Sequence, residues 1–71
     1  MDCYYCIVST NREPVADLCV LDAADDGMAL ARARAMAEQV AGWERASVHA
    51  GERLVGLIWR AAETIELPLA A

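Results

Sequence analysis

The segment DDGMALARARAMAEQVAG, residues 25–42, decides the fold of this chain because it predicts a single helix. It is rich in strong helix formers, and its apolar residues recur at three- and four-residue spacing, as along one face of a helix. That stripe contains Ala29, Leu30, Ala33, Met36, Ala37 and Val40. Asp25 and Asp26 can cap the free N–H groups at its start, and Gly42 stands where a helix commonly ends.

The segments on both sides of this helix predict β-hairpins. Residues 3–21 carry apolar, aromatic and β-branched runs that are interrupted by turn and breaker residues between positions 11 and 14. Residues 43–59 are centred on Gly51-Glu52, where glycine at the first turn position suits a type II′ turn. This turn predicts the pairs Val48–Val55, Ala46–Leu57 and Glu44–Trp59, although a slip of one residue would exchange the two faces.

The element order is therefore ββαββ, which predicts an α+β fold: a two-layer sandwich of one four-stranded sheet with one helix on one face. We expect a single domain over residues 1–71, with its core in residues 3–59. The tail, residues 60–71, alternates apolar residues at its end. It is predicted as an extra edge strand, a segment exchanged between subunits, or a frayed end.

Both faces of the predicted strands are apolar, yet only one helix is available to cover them. One set of apolar strand residues is expected to face the helix: Leu18, Val20, Ala46, Val48, Val55 and Leu57. A second apolar set then remains on the outer face. That outer set is Cys19, Leu21, Trp43, Leu54 and Ile58, together with either Cys3, Tyr5 and Ile7 or Tyr4, Cys6 and Val8. Large exposed apolar patches usually mark interfaces. We therefore expect a homo-oligomer, in the first place a dimer, or else a different protein partner.

Composition excludes several other classes of partner. The formal net charge is −5 and all six basic residues are Arg, so nucleic acid is not an expected ligand unless Arg32, Arg34 and Arg45 form a local patch. No stretch approaches the roughly 18 apolar residues that a membrane span requires, and a polar run follows soon after the first residues. These features predict a soluble cytoplasmic protein without membrane association.

Candidate catalytic and metal-binding residues are few. Cys3 and Cys6 have the C-x-x-C spacing, but residues three apart in a strand point to opposite faces, so we expect these thiols and Cys19 to be small apolar side chains. His49 is the only histidine, with Ser47 two residues away, and no orienting acid is evident. We therefore predict no enzymatic activity, no metal and no cofactor.

Trp43 and Trp59 are the large aromatic residues of the second hairpin. Their simplest role is packing in the core or an interface, because Trp carries a large apolar area. The alternative is that they stack on a small planar ligand at a subunit interface.

The acidic start of the helix, its Ala-Arg-Ala-Arg run and the Gly51-Glu52-Arg53-Leu54-Val55 hairpin give the chain a resemblance to a known group. Over roughly residues 3–58 it resembles short uncharacterised alphaproteobacterial proteins that are described only as domains of unknown function. The resemblance implies a bacterial source and the ββαββ order, and it carries over no catalytic residue. The expected function is an interaction or regulatory role without catalysis.

Overall fold

The structure, a computed structural model, describes residues 3–60 together with the backbone of residues 65–66. Its elements are β1 (Tyr4–Thr10), β2 (Asp17–Leu21), α1 (Asp26–Ala37), β3 (Trp43–Ala50), β4 (Arg53–Trp59) and β5 (Ile65–Glu66). The strands form one antiparallel sheet in the order β2-β1-β3-β4-β5, and α1 packs against β1 to β4. The α+β fold and the ββαββ order of the first five elements are confirmed.

The two residues of β5 extend the expected four-stranded sheet. Ile65 pairs with Ile58 of β4, and Glu66 pairs with Leu57. Of the three interpretations of the tail, an extra edge strand is the one observed for these two residues. Residues 61–64 and 67–71 lie outside the described part of the chain.

Helix α1 packs on the sheet mainly through alanine, with the half-buried Leu30 also against the core. Its fully buried residues are Ala29, Ala33 and Ala37, spaced four apart, so small side chains line the contact and the helix can approach the strands closely. Met36 was expected in this stripe, but 37% of it is exposed. The buried stripe is therefore narrower than the apolar pattern of the sequence.

The helix begins as predicted and ends earlier. The side chain of Asp25 accepts a hydrogen bond from the N–H of Met28 at 2.8 Å, which is an N-cap. After Ala37 the chain tightens into a turn in which the N–H of Val40 donates to Ala37 O at 2.9 Å. Gly42 then adopts a positive φ of 75°, which glycine tolerates better than other residues.

The β3–β4 hairpin has the predicted turn but not the predicted register. A type II′ turn needs a positive φ at its first central residue and a negative φ at its second. Gly51 has a φ of 59°, and Glu52 is not among the described residues with a positive φ, which are all glycine. His49 pairs with Leu54 next to this turn, but Val48 pairs with Gly56 instead of Val55. Val55 is thus the extra residue of a β-bulge, and every pair beyond it is shifted by one.

This shift corrects the predicted faces of the sheet. The observed pairs are Ala46–Ile58 and Arg45–Trp59, so Ile58 rather than Leu57 faces the helix. The buried core is Cys6, Val8, Leu21, Ala29, Ala33, Ala37, Trp43, Ala46, Val48, Ala50, Val55 and Ile58. The assignment of Ala46, Val48 and Val55 to the core is confirmed. The assignment of Leu18, Val20 and Leu57 to the helix side is wrong.

Candidate functional site

The sheet face opposite α1 carries the side chains that the helix leaves uncovered, and we call it the open face. By strand alternation and register its residues are Tyr5, Ile7, Leu18, Val20, Arg45, Ser47, His49, Leu54, Leu57 and Trp59. Ser9, which pairs with Arg45, lies on the same side but is buried, with its Oγ donating to Pro14 O. These residues lie in rows across the strands. One row is Val20, Tyr5, His49 and Leu54, the next is Leu18, Ile7, Ser47 and Leu57, and Arg45 and Trp59 begin a third.

The most exposed part of the open face lies on β2, an edge strand of the sheet as described. Leu18 is 60% exposed and Val20 is 75% exposed, whereas Leu21 on the same strand is buried. Their neighbours Tyr5 and Ile7 on β1 are half-buried. An apolar strip therefore runs along one side of this face.

Strand β3 places a polar strip along the middle of the open face, and its side chains already have partners. The His49 ring stacks on Tyr5 with 4.9 Å between centroids and 14° between planes. His49 Nε2 lies 3.1 Å from Ser47 Oγ. The Arg45 guanidinium carbon is 5.6 Å from the centre of the Trp59 ring, a cation–π contact. Because these groups interact within the sheet, covering them costs less than covering unpaired polar groups.

The contact between Ser47 and His49 joins two neighbouring side chains of the open face. A histidine acting as a base for serine is normally oriented by an acid on its other ring nitrogen. Within residues 3–60 no carboxylate hydrogen-bonds to His49, whose ring instead lies flat against Tyr5. The arrangement therefore suits packing.

A pocket of about 480 Å³ opens at the end of β3 and β4 that is far from their turn. Trp43, Glu44, Trp59 and Arg60 line it, and the N–H of Arg60 donates to Glu44 O at 2.9 Å. Trp43 is only 4% exposed, so most of its ring belongs to the core. The structure thus brings the two tryptophans that the sequence singled out to the same pocket.

The predicted interface residues are divided between the two faces. Leu54 lies on the open face, as expected. Leu21, Trp43 and Ile58 belong to the core under the helix, and the half-buried Cys19 packs against that core. Their assignment to the outer face is therefore wrong, and of the two alternative sets on β1 it is Tyr4, Cys6 and Val8 that contribute to the helix side. Leu18, Val20 and Leu57 lie on the open face instead. The Val55 bulge decides the side on which Leu57 lies, and the β1–β2 register decides it for Leu18 and Val20.

The cysteines have three different environments. Cys6 is buried and Cys19 is intermediate, whereas Cys3 is exposed, so the expectation of a packed apolar side chain is wrong for Cys3. Burial raises the pKa of the Cys6 thiol to about 11, with a further contribution from Cys19. Burial also raises the pKa of Cys19, whose Sγ lies 3.4 Å from Asp17 Oδ2. Within the described residues no three His, Cys, Asp or Glu side chains are grouped so as to hold a metal ion.

The two acidic residues at the helix start have separate structural roles. Asp25 caps the helix, while Asp26 accepts hydrogen bonds from Arg53 and, at 2.7 Å, from the Tyr4 hydroxyl. The hydrogen bonds from Arg53 and Tyr4 lower the pKa of Asp26 to about 2. Both carboxylates therefore stabilise the start of the helix, and Asp26 also links it to the strands.

Comparison with known proteins identifies no relative. No protein-family model, curated protein sequence or solved structure matches this chain. Among the described residues, no helix has both the length and the apolar character needed to cross a membrane.

Proposed function

We propose that this chain is a small cytoplasmic bacterial protein that acts by association rather than by catalysis, and that its open face pairs with a second copy of itself. The observation that carries the proposal is the exposure of Leu18 and Val20, at 60% and 75%, beside further apolar residues of the same face. Burial of apolar area is the main favourable contribution to such pairing.

The distribution of charge favours a second copy as the occupant. Each chain has a net charge of −5, so two copies repel each other least through a surface without carboxylates. The ten open-face residues of β1 to β4 include no Asp or Glu, and their one formal charge, on Arg45, lies over Trp59. Two copies can therefore meet through these ten residues without direct repulsion, while Glu66 pairs with Leu57 at the β5 edge of the sheet.

The rows of the open face also suit a two-fold arrangement. The two open faces can pack against each other about a two-fold axis that lies between the sheets, parallel to the strands and midway between β1 and β3. A rotation of 180° about this axis brings β2 of one copy over β4 of the other. Val20 then meets Leu54 of the second copy, and Leu18 meets Leu57. Each contact occurs twice, as an isologous interface requires, and the sheets pack with nearly aligned strands. Ten residues a side is fewer than the roughly 20–30 of a standard interface, so we expect a dissociation constant in the micromolar range.

Sedimentation over a dilution series tests this pairing. We expect wild-type protein to dissociate on dilution and Val20→Glu to be monomeric throughout, with unchanged circular dichroism because residue 20 is exposed in the protomer. Val15→Glu places the same charge in the β1–β2 connection, and Met36→Glu places it in the helix layer. Both controls should associate as wild type does. A wild-type chain that is monomeric at high concentration would refute the proposal, even if it bound another protein.

A second candidate function rests on the pocket between Trp43 and Trp59. The two indoles and the opposite charges of Glu44 and Arg60 suit a small planar aromatic molecule with polar substituents. Because Trp59 also belongs to the open face, a second copy would close one side of this site.

Equilibrium dialysis against riboflavin and against adenosine monophosphate tests the ligand site. We expect retention of at least one probe by the wild type, loss of that retention in Trp59→Leu, and no loss in Tyr5→Leu, which removes an aromatic ring from the same face outside the pocket. Failure of the wild type to retain either planar probe would count against this candidate and leave the pairing proposal unaffected.

A further inference from the structure

Cys6 and Cys19 lie directly opposite each other on neighbouring strands. The antiparallel register of β1 and β2 pairs them, and both side chains lie on the helix side of the sheet. Directly opposed residues of antiparallel strands have Cα atoms about 4.5–5.5 Å apart. A disulfide spans Cα separations of about 4.4–6.8 Å, so the backbone already holds these cysteines within bonding range.

The environments of the two thiols differ in a way that assigns them separate roles. Cys19 lies on the edge strand and is partly accessible, whereas Cys6 lies on β1 with no exposed area. Each thiol alters the pKa of the other, since Cys19 raises the pKa of Cys6 and Cys6 lowers the pKa of Cys19. A reagent from solution therefore meets Cys19 first, and Cys6 lies behind it as the nearest thiol.

We propose that Cys6 and Cys19 form a redox-active dithiol, in which a small disulfide molecule oxidises the pair to a disulfide within one chain. The Cys19 thiolate attacks one sulfur of the small disulfide and displaces its other half as a thiolate. Cys6 attacks Cys19 Sγ and displaces the second half, and the Cys6 proton passes to this leaving thiolate. Two protein thiols and one small disulfide thus become one protein disulfide and two small thiols.

The surroundings of the pair select this chemistry over other uses of cysteine. Cys3 is exposed and precedes β1, while Cys6 is inside the core, so Cys3 does not replace either partner. Asp17 Oδ2 accepts the Cys19 S–H at 3.4 Å, and this nearby carboxylate disfavours the Cys19 thiolate. The attack by Cys19 is therefore slow at low oxidant concentrations, and oxidation of the pair ties edge strand β2 to β1.

The test uses Cys3→Ser, which leaves only the two opposed cysteines, with oxidised glutathione as the probe. We expect the folded protein to lose both thiols and a mass of two hydrogen atoms, with no glutathione attached. Amide exchange in residues Asp17–Leu21 should become slower in the oxidised form. The same chain unfolded in urea serves as a control for the reactivity of the oxidant.

Two outcomes would overturn the proposal. One is that the folded protein keeps both thiols, or carries only glutathione adducts, at oxidant levels that convert the unfolded chain. The other is that disulfides form only between chains. Single-cysteine variants test the order of attack: in the Cys3→Ser background, Cys6→Ser should take one glutathione and Cys19→Ser should take none while folded. Asp17→Asn should oxidise faster than Cys3→Ser alone, a change that a purely structural role for the thiols does not predict.

Discussion

Arg53 forms a bidentate pair with Asp26, with Nη1 to Oδ2 at 2.9 Å and Nη2 to Oδ1 at 3.1 Å. The pair links the first residue of β4 to the first turn of α1 across 27 positions of the chain. Because Tyr4 donates to the same carboxylate, one side chain connects the helix to both hairpins. A carboxylate at a helix start is also favoured by the helix dipole.

We expect Asp26→Asn to lower stability at neutral pH and to have less effect in acid. The pKa of Asp26 is lowered in the folded chain from 3.8 to about 2. The stabilisation is therefore complete above pH 3.8 and disappears as pH falls through about 2. Urea unfolding of both proteins across this range measures the difference, which should shrink towards the acid end.

Asp22→Asn is the matched control for that experiment, since Asp22 is an exposed carboxylate before the helix. It should change the urea midpoint little at any pH. An Asp26→Asn difference that stayed constant from neutral pH to acid would show that its charge is not what stabilises the fold.

Ala33→Leu should destabilise the chain by about 1–3 kcal/mol, because added methyl and methylene groups force the helix away from the sheet. Ala33 has no exposed area and is the middle residue of the buried alanine stripe. Ala31→Leu adds the same groups at an exposed position of the same helix and should be nearly neutral. Thermal or urea unfolding measures the stability of both variants. Equal losses of stability in Ala33→Leu and Ala31→Leu would contradict the close packing of α1 on the sheet.

Gly42→Ala should cost about 1–2 kcal/mol through backbone strain alone. The φ of Gly42 is 75°, and a Cβ atom there would meet no heavy atom within 4 Å, so no clash contributes. Gly42→Asn should lose less, since Asn tolerates the left-handed region better than Ala. If the two variants unfolded at the same urea concentration, the strain argument would be wrong.

A charge exchange tests the rotation that places Val20 over Leu54 of the second copy. Val20→Glu and Leu54→Lys should each prevent self-association, since each would bury an unpaired charge. An equimolar mixture should form a heterodimer, because the introduced carboxylate then faces the introduced ammonium group. Sedimentation of the mixture and of each variant alone measures this result.

Leu57→Lys provides the control for the charge exchange. Leu57 lies on β4, as Leu54 does, but in the row of Leu18 rather than that of Val20. A mixture of Leu57→Lys with Val20→Glu should therefore restore pairing less well than the mixture with Leu54→Lys. Equal recovery in both mixtures would contradict the proposed alignment of rows while leaving self-association itself in place.

The helix, the strands and their order were predictable because they depend on local properties of the chain. Alanine-rich helix formers between Asp25 and Gly42 indicate the helix, and Gly51 indicates the hairpin turn before any tertiary contact is considered. The tryptophan pocket was predictable only in part: the sequence singled out Trp43 and Trp59, but not the Glu44 and Arg60 that complete it.

The faces of the sheet depended on tertiary structure. The bulge at Val55 exchanges Leu57 and Ile58 between faces, and strand alternation alone has no signal for one extra residue. The opposition of Cys6 and Cys19 likewise requires the register of β1 against β2, which the spacing of cysteines along the chain does not contain. Local propensity determines which segments become strands, whereas hydrogen bonding and packing between distant segments determine which side chains meet.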